Sequence, residues 1–131
     1  MTNREIYDKA MHLLAQSTAI GENEDYLERA PYFLASFCTE AFETDKLLRN
    51  SIGANAISRI QKAYLSLDSE FPLSDRLATA ASYYLAAMLT LDEDGELSDK
   101  LYDRYCDDMS TIRFELPSKL ESVIDKYFPF I

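Results

Sequence analysis

Apolar residues recur at spacings of three and four along most of the chain, the repeat of an amphipathic helix. From about Asn3 to Gln16 the stripe is Ile6, Ala10, Leu13 and Leu14. Thr2 followed by Glu5 fits a capping box, in which hydroxyl and carboxylate each satisfy an orphan N–H of the first turn. Ile20, Gly21, Glu22 and Asn23 break the pattern. A second helix is predicted from about Glu24 to Asn50, with Leu27, Ala30, Leu34, Phe37, Cys38, Ala41 and Leu48 on one face. Pro31 lacks a ladder N–H, so the spacing predicts a kink there or a helix that restarts at Ala30. Ile52-Gly53 reads as its stop, with glycine free to turn left-handed.

The stretch from Ala54 to Leu67 is ambiguous. Ile57, Ile60, Tyr64 and Leu67 suit a short helix, and Ala63 to Leu67 suits a brief strand equally well. Asp68 to Leu73 reads as a loop, because Pro72 pushes Phe71 out of the helical region. A third helix is predicted from about Ser74, its N-cap, to Leu91. It is apolar nearly all round, which places it at the centre of the fold. Asp92-Glu93-Asp94-Gly95 is a turn. The fourth helix, about Glu96 to Arg113, sets Leu97, Leu101, Tyr105, Met109 and Ile112 opposite a charged face. Pro117 suits the first turn of a short last helix, Ser118 to Tyr127. The expected architecture is all-α: a single domain, residues 1–131, of four to six helices around the apolar helix at about 74–91.

Composition narrows the class. A 131-residue chain with 47% hydrophobic residues has enough apolar content for a packed core and is too short for two ordinary domains. With 13 Lys and Arg against 23 Asp and Glu, the net charge is −10, which excludes a general nucleic-acid binder. The apolar run Leu77–Leu91 is shorter than the roughly 20 residues of a membrane span. No signal-like apolar segment follows Met1–Glu5, so a cytoplasmic location is expected. The two cysteines, Cys38 and Cys106, are expected to be free and buried.

Four features could carry chemistry. The acidic turn aligns with a calcium loop only if Thr90 and Leu101 stand where the first and last carboxylates belong, so it reads as a solvated turn. His12 is the only histidine and has no paired Cys spacing beside it for zinc or for a nucleophile–base pair. Three glycines leave no room for a phosphate loop. Among the carboxylates, Asp45 comes nearest to an apolar stripe and reads as a boundary residue. No catalytic residue, cofactor or metal is expected, and the chain reads as a non-enzyme.

Charge placement is the one unusual feature. Asp92 to Asp108 holds eight acidic residues (Asp92, Glu93, Asp94, Glu96, Asp99, Asp103, Asp107, Asp108) against two basic, a net −6. Lys46 to Lys62 holds Lys46, Arg49, Arg59 and Lys62 and no acid, a net +4. Two such blocks would suit head-to-tail self-association. Tyr102, Phe128 and Phe130 are the aromatics expected to remain for a partner.

The run Phe71-Pro72-Leu73, Asp75-Arg76, Tyr83 to Leu89, Asp92-Glu93-Asp94 and Leu97-Ser98 with Leu101, Tyr102 and Tyr105 resembles the small helical head–tail connector, or neck adaptor, proteins of tailed phages and prophages. The closing Val123-Ile124-Asp125-Lys126-Tyr127 is similar to the end of such proteins. The likeness covers about a third of the chain and carries no catalytic signature. It implies a virion part that forms a ring between portal and tail, with itself and other phage structural proteins as partners. An acidic wall would then let DNA slide past. The alternative expectation is an acidic helical interaction module or regulator, including an inhibitor that mimics DNA charge.

Overall fold

The computed structural model describes residues 1–19 and 21–116. Four α-helices follow in order: α1 (Asn3–Leu13), α2 (Glu24–Ser51), α3 (Ala78–Thr90) and α4 (Gly95–Glu115). A 3-10 turn, Asp75–Leu77, leads into α3. The expected all-α class is what is found. The last predicted helix, Ser118 to Tyr127, lies outside the described residues, as do Phe128 and Phe130.

α3 packs against α1, α2 and α4, so the apolar helix is central. Ala78, Ala80, Ala81, Ala86 and Ala87 are all buried, and their small side chains admit close neighbours. At the α3–α4 contact the buried Ser98 hydroxyl donates to the Ala87 carbonyl at 2.8 Å. One hydrophobic cluster joins residues of all four helices. Phe37 stands at its aromatic centre, 5.7 Å from the Tyr84 ring, 6.0 Å from Tyr105 and 6.3 Å from Phe71.

α1 ends three residues earlier than the spacing predicts. Thr2 caps it, its hydroxyl accepting from the Glu5 N–H at 3.3 Å. The close is a Schellman motif: Gln16 N–H donates to the Met11 carbonyl (2.8 Å) and Ala15 N–H to that of His12 (3.1 Å). Ala15 therefore sits at φ 55°, where glycine is usual. α2 closes by the same motif, with Ala54 N–H on the Arg49 carbonyl at 2.8 Å and Gly53 at φ 75°. The predicted stop at Ile52-Gly53 is observed. α2 does not restart at Ala30; it runs unbroken through Pro31.

The segment 54–73 is neither the helix nor the strand that its apolar residues allow. It crosses the bundle as an extended strap. Leu65, Leu67, Phe71 and Leu73 point inward, and Ile57 and Ile60 pack on the core from half-buried positions. Its main-chain hydrogen bonds go to the start of α1 and to the body of α2 rather than to a neighbouring strand. Leu65 N–H donates to the Pro31 carbonyl (3.1 Å), and Phe71 N–H to that of Met1 (2.8 Å). In return, its carbonyls at Leu67 and Ser69 accept the Arg4 and Asn3 N–H groups, at 2.8 and 2.9 Å. Those are orphan donors of the first turn of α1, so the strap completes that helix end. A single bridge, Thr2 with Glu70, is the only ladder-like pairing among the described residues.

Two further expectations are corrected. Cys38 is buried but Cys106 is exposed, since Cys106 falls on the outer face of α4 beside the inward Tyr105. Asp45 is no boundary residue: it is fully buried. Spacings of four from Ala41 and three to Leu48 carry it onto the inner face of α2. Its carboxylate is compensated there. Oδ1 accepts from both the Ser74 N–H and the Ser74 hydroxyl, at 2.7 Å each, and Oδ2 from Arg49 Nε at 2.8 Å. Arg49 reaches on to the Pro72 carbonyl at 3.3 Å. Ser74 thus opens the third helical segment by binding Asp45 and caps nothing with its own side chain.

Candidate interaction surface

The acidic block divides into two parts with different tasks. Asp92, Glu93 and Asp94 form the α3–α4 turn and are used within the fold. Asp94 is the N-cap of α4 and accepts from the Leu97 N–H at 3.0 Å. Glu93 accepts the hydroxyl proton of Tyr26. Asp92 lies 3.7 Å from the Arg29 guanidinium, which also pairs with Asp25 at 3.1 Å and donates to the Leu89 carbonyl at 3.0 Å. Arg29 and Tyr26 therefore pin the turn to the first turns of α2. Spacing did not single out either residue. The signal was there: Tyr26 and Arg29 lie three apart, on one face of a helix.

Asp99, Asp103 and Asp107 form the second part. They repeat at i, i+4 and i+8 along the outer face of α4, all exposed, and none has an ion-pair partner among the described residues. The stripe recurs about every 6 Å along the helix axis. Like charges at i, i+4 oppose the helix by about 0.2–0.5 kcal/mol per pair. α4 thus carries a small local cost that packing of its other face offsets. Asp108 turns away from this stripe. It is half-buried, its Oδ2 has no hydrogen-bond partner, and its charge acts on Arg76, which itself pairs with Glu115 at 2.6 Å.

Tyr102 stands beside the aspartates, 39% exposed, its ring 5.3 Å from that of Tyr105. Tyr105 is buried and donates to the Glu40 carboxylate at 3.1 Å. Burial, and then the Glu40 charge, push the Tyr105 hydroxyl well above its ordinary pKa. Tyr102 is therefore an aromatic ring backed by a fixed core group and flanked by negative charge.

The basic block does not form one surface. Arg49 is drawn onto buried Asp45. Arg59 pairs with Glu43 at 2.9 Å and lies 4.7 Å over the Phe42 ring. Lys46 on α2 and Lys62 on the strap remain exposed, with no ion pair among the described residues. Two of the four cations are thus spent on neighbours that the +4 count overlooked.

His12 is exposed, whereas Cys38 is buried with its thiol pushed up to about 12, first by burial and then by the Asp45 charge. Among the described residues no three His, Cys, Asp or Glu side chains converge to hold a metal ion. No described helix is long and apolar enough to cross a membrane. What the surface offers is an exposed row of three aspartates on α4, interleaved with the exposed Lys100 and Arg104, with the Tyr102 ring beside it. Comparison of the chain with protein-family models, with curated proteins and with solved structures returns no match.

Proposed function

We propose that the chain is a non-enzymatic assembly protein of a phage or prophage neck, one that joins copies of itself and other virion proteins in a ring between portal and tail. The observation that carries this reading is the exposed row Asp99, Asp103 and Asp107, without an ion-pair partner among the described residues, on a helix whose other face packs into the core. A ring lined by such rows repels the DNA phosphates that must pass it. Tyr102, at the edge of the row, supplies an apolar contact for a neighbour. The resemblance of Phe71 to Tyr105 to neck adaptors supports the same reading. The protein would then reside in the host cytoplasm and in the virion. Sedimentation velocity over a range of concentrations, alone and with a portal ring, tests it. Assembly that weakens on Tyr102→Ala is expected. A monomer at every concentration that also ignores the portal would overturn it.

A second reading rests on the same row. Charges about 6 Å apart on one rigid face suit a regulator that occupies the DNA site of a basic protein. Its mark is salt-sensitive binding to such a protein, weakened by Asp103→Asn.

A further inference from the structure

α1, residues 18–19 and 21–22, the first turns of α2 and the strap line an open cleft of about 390 Å³. That volume falls within the range of small-molecule sites. Tyr7 lines it from the inside, 2% exposed. Leu27, Pro31 and Tyr64 supply its apolar wall. Tyr64 is half-exposed, yet its ring is steadied edge-on against Tyr32, with centroids 5.2 Å apart.

Hydrogen bonds hold the described parts of the chain between α1 and α2. Asn23 Nδ2 donates to the Ser17 carbonyl at 2.8 Å, and the Ala19 N–H donates to the Ser17 hydroxyl at 3.1 Å. Ala15 and Asn23, which bracket it, are the non-glycine residues at positive φ among the described residues. A left-handed alanine costs about 1–2 kcal/mol, so the connection is held in this path against a local preference.

Three charged residues line the cleft: Arg4, Asp68 and Glu22. Arg4 and Asp68 cancel, with Nε and Nη2 of the guanidinium both on Asp68 Oδ1, at 3.3 and 3.1 Å. Glu22 has no ion-pair partner among the described residues. The charge left over is negative, carried by the exposed Glu22, and the half-exposed Tyr64 ring lines the same cleft. A carboxylate or phosphate ligand would meet repulsion here. A cation gains from Glu22 and from the exposed side of the Tyr64 ring together.

We propose that this cleft binds a small organic cation, an ammonium group on a short apolar body. The body lies on Leu27, Pro31 and Tyr64, and the ammonium faces Glu22. None of these residues lies on α4, so the site stands apart from the assembly reading. The test is a titration of the full chain with hexylammonium and, separately, with 1-hexanol, followed by amide NMR shifts at physiological salt. Saturable binding with shifts centred on Tyr7, Leu27 and Tyr64 is expected, with hexanol several-fold weaker. Glu22→Gln should weaken hexylammonium about three- to fivefold, as loss of one exposed charge partner does. Tyr64→Ala should weaken it too, and Tyr64→Phe should restore it, since both variants change an exposed ring and leave the core intact. Equal affinity for hexanol, unchanged affinity in Glu22→Gln, or shifts centred on Asp99 to Asp107 would each overturn the proposal.

Discussion

Asp45 and Ser74 are joined twice, through the Ser74 main-chain N–H and through its hydroxyl, both on Asp45 Oδ1 at 2.7 Å. The pair ties the inner face of α2 to the entrance of the 3-10 turn and α3, 29 positions away in sequence. Arg49 closes the arrangement on the other carboxylate oxygen. A fully buried carboxylate survives only when its lone pairs are filled in this way.

Removing it should therefore be costly. Asp45→Ala is expected to lower stability by about 3–5 kcal/mol, as loss of one partner from a buried charged network does. Ser74→Ala keeps the main-chain bond and should cost less, about 1.5–3 kcal/mol for one hydrogen bond to a charged group. Urea unfolding followed by circular dichroism checks the order. Equal losses would mean that the Asp45 carboxylate does little beyond binding the serine hydroxyl.

α1 and α2 end in the same motif with different residues at its left-handed position, Ala15 and Gly53. Exchange of roles gives opposite signs. Ala15→Gly should stabilise by about 0.5–1 kcal/mol, the relief of a left-handed alanine less the entropy that glycine adds to the unfolded chain. Gly53→Ala should destabilise by about 1 kcal/mol through φ alone, because an added Cβ there meets nothing within 4 Å. Shifts of the urea midpoint in opposite directions are the expected result.

The two thiols should separate cleanly by reactivity. Cys106 is exposed, and Cys38 is buried with its proton held up to about 12. Since the thiolate is the reacting species, iodoacetamide at pH 8 should label one site on the folded protein and two in denaturant. Mass spectrometry of the intact chain counts them. Rapid labelling of Cys38 in the native state would mean that the α2 core face opens readily.

Alkali should unfold the protein by way of its tyrosines. Tyr26 and Tyr84 are both pushed up to about 12. Burial is the first cause in each; the Glu93 hydrogen bond adds to it at Tyr26 and the Glu40 charge at Tyr84. In the unfolded chain the same hydroxyls ionise near pH 10. Their contribution to stability is complete below pH 10 and is lost as pH rises from about 10 to 12, because the unfolded state gives up protons that the fold retains. Phenolate absorbance should show a late-titrating group that appears together with loss of helix. Titration of every tyrosine near pH 10 in a still-helical protein would contradict this.

The helices were legible because each carries a repeat that only one period fits. Leu97, Leu101, Tyr105, Met109 and Ile112 could hardly be read otherwise, and the nearly polar-free run after Ser74 announced a central helix. The strap was not legible. Leu65, Leu67, Phe71 and Leu73 alternate as in a strand, but the main-chain hydrogen bonds of the first three go to Pro31, Arg4 and Met1, and no local pattern encodes partners 34 to 70 residues away. The charge surface was half legible for a related reason. Counting charges from 46 to 62 gave four cations, and the count is blind to Asp45 and Glu43 just outside it, which take up Arg49 and Arg59. On α4 no such neighbour intervenes for Asp99, Asp103 and Asp107, which have no ion-pair partner among the described residues.

The position of α3 has a consequence for how the molecule fails. α1, α2 and α4 each lean on it, and it has no side made for water. Detaching any one of the three uncovers a strip of alanine, leucine and tyrosine. A half-open molecule would therefore be adhesive, and at high concentration such molecules would clump before they could close. Burial of α3 on all sides thus favours cooperative opening, and among the described residues the outward surface belongs mainly to α1, α2, α4 and the strap.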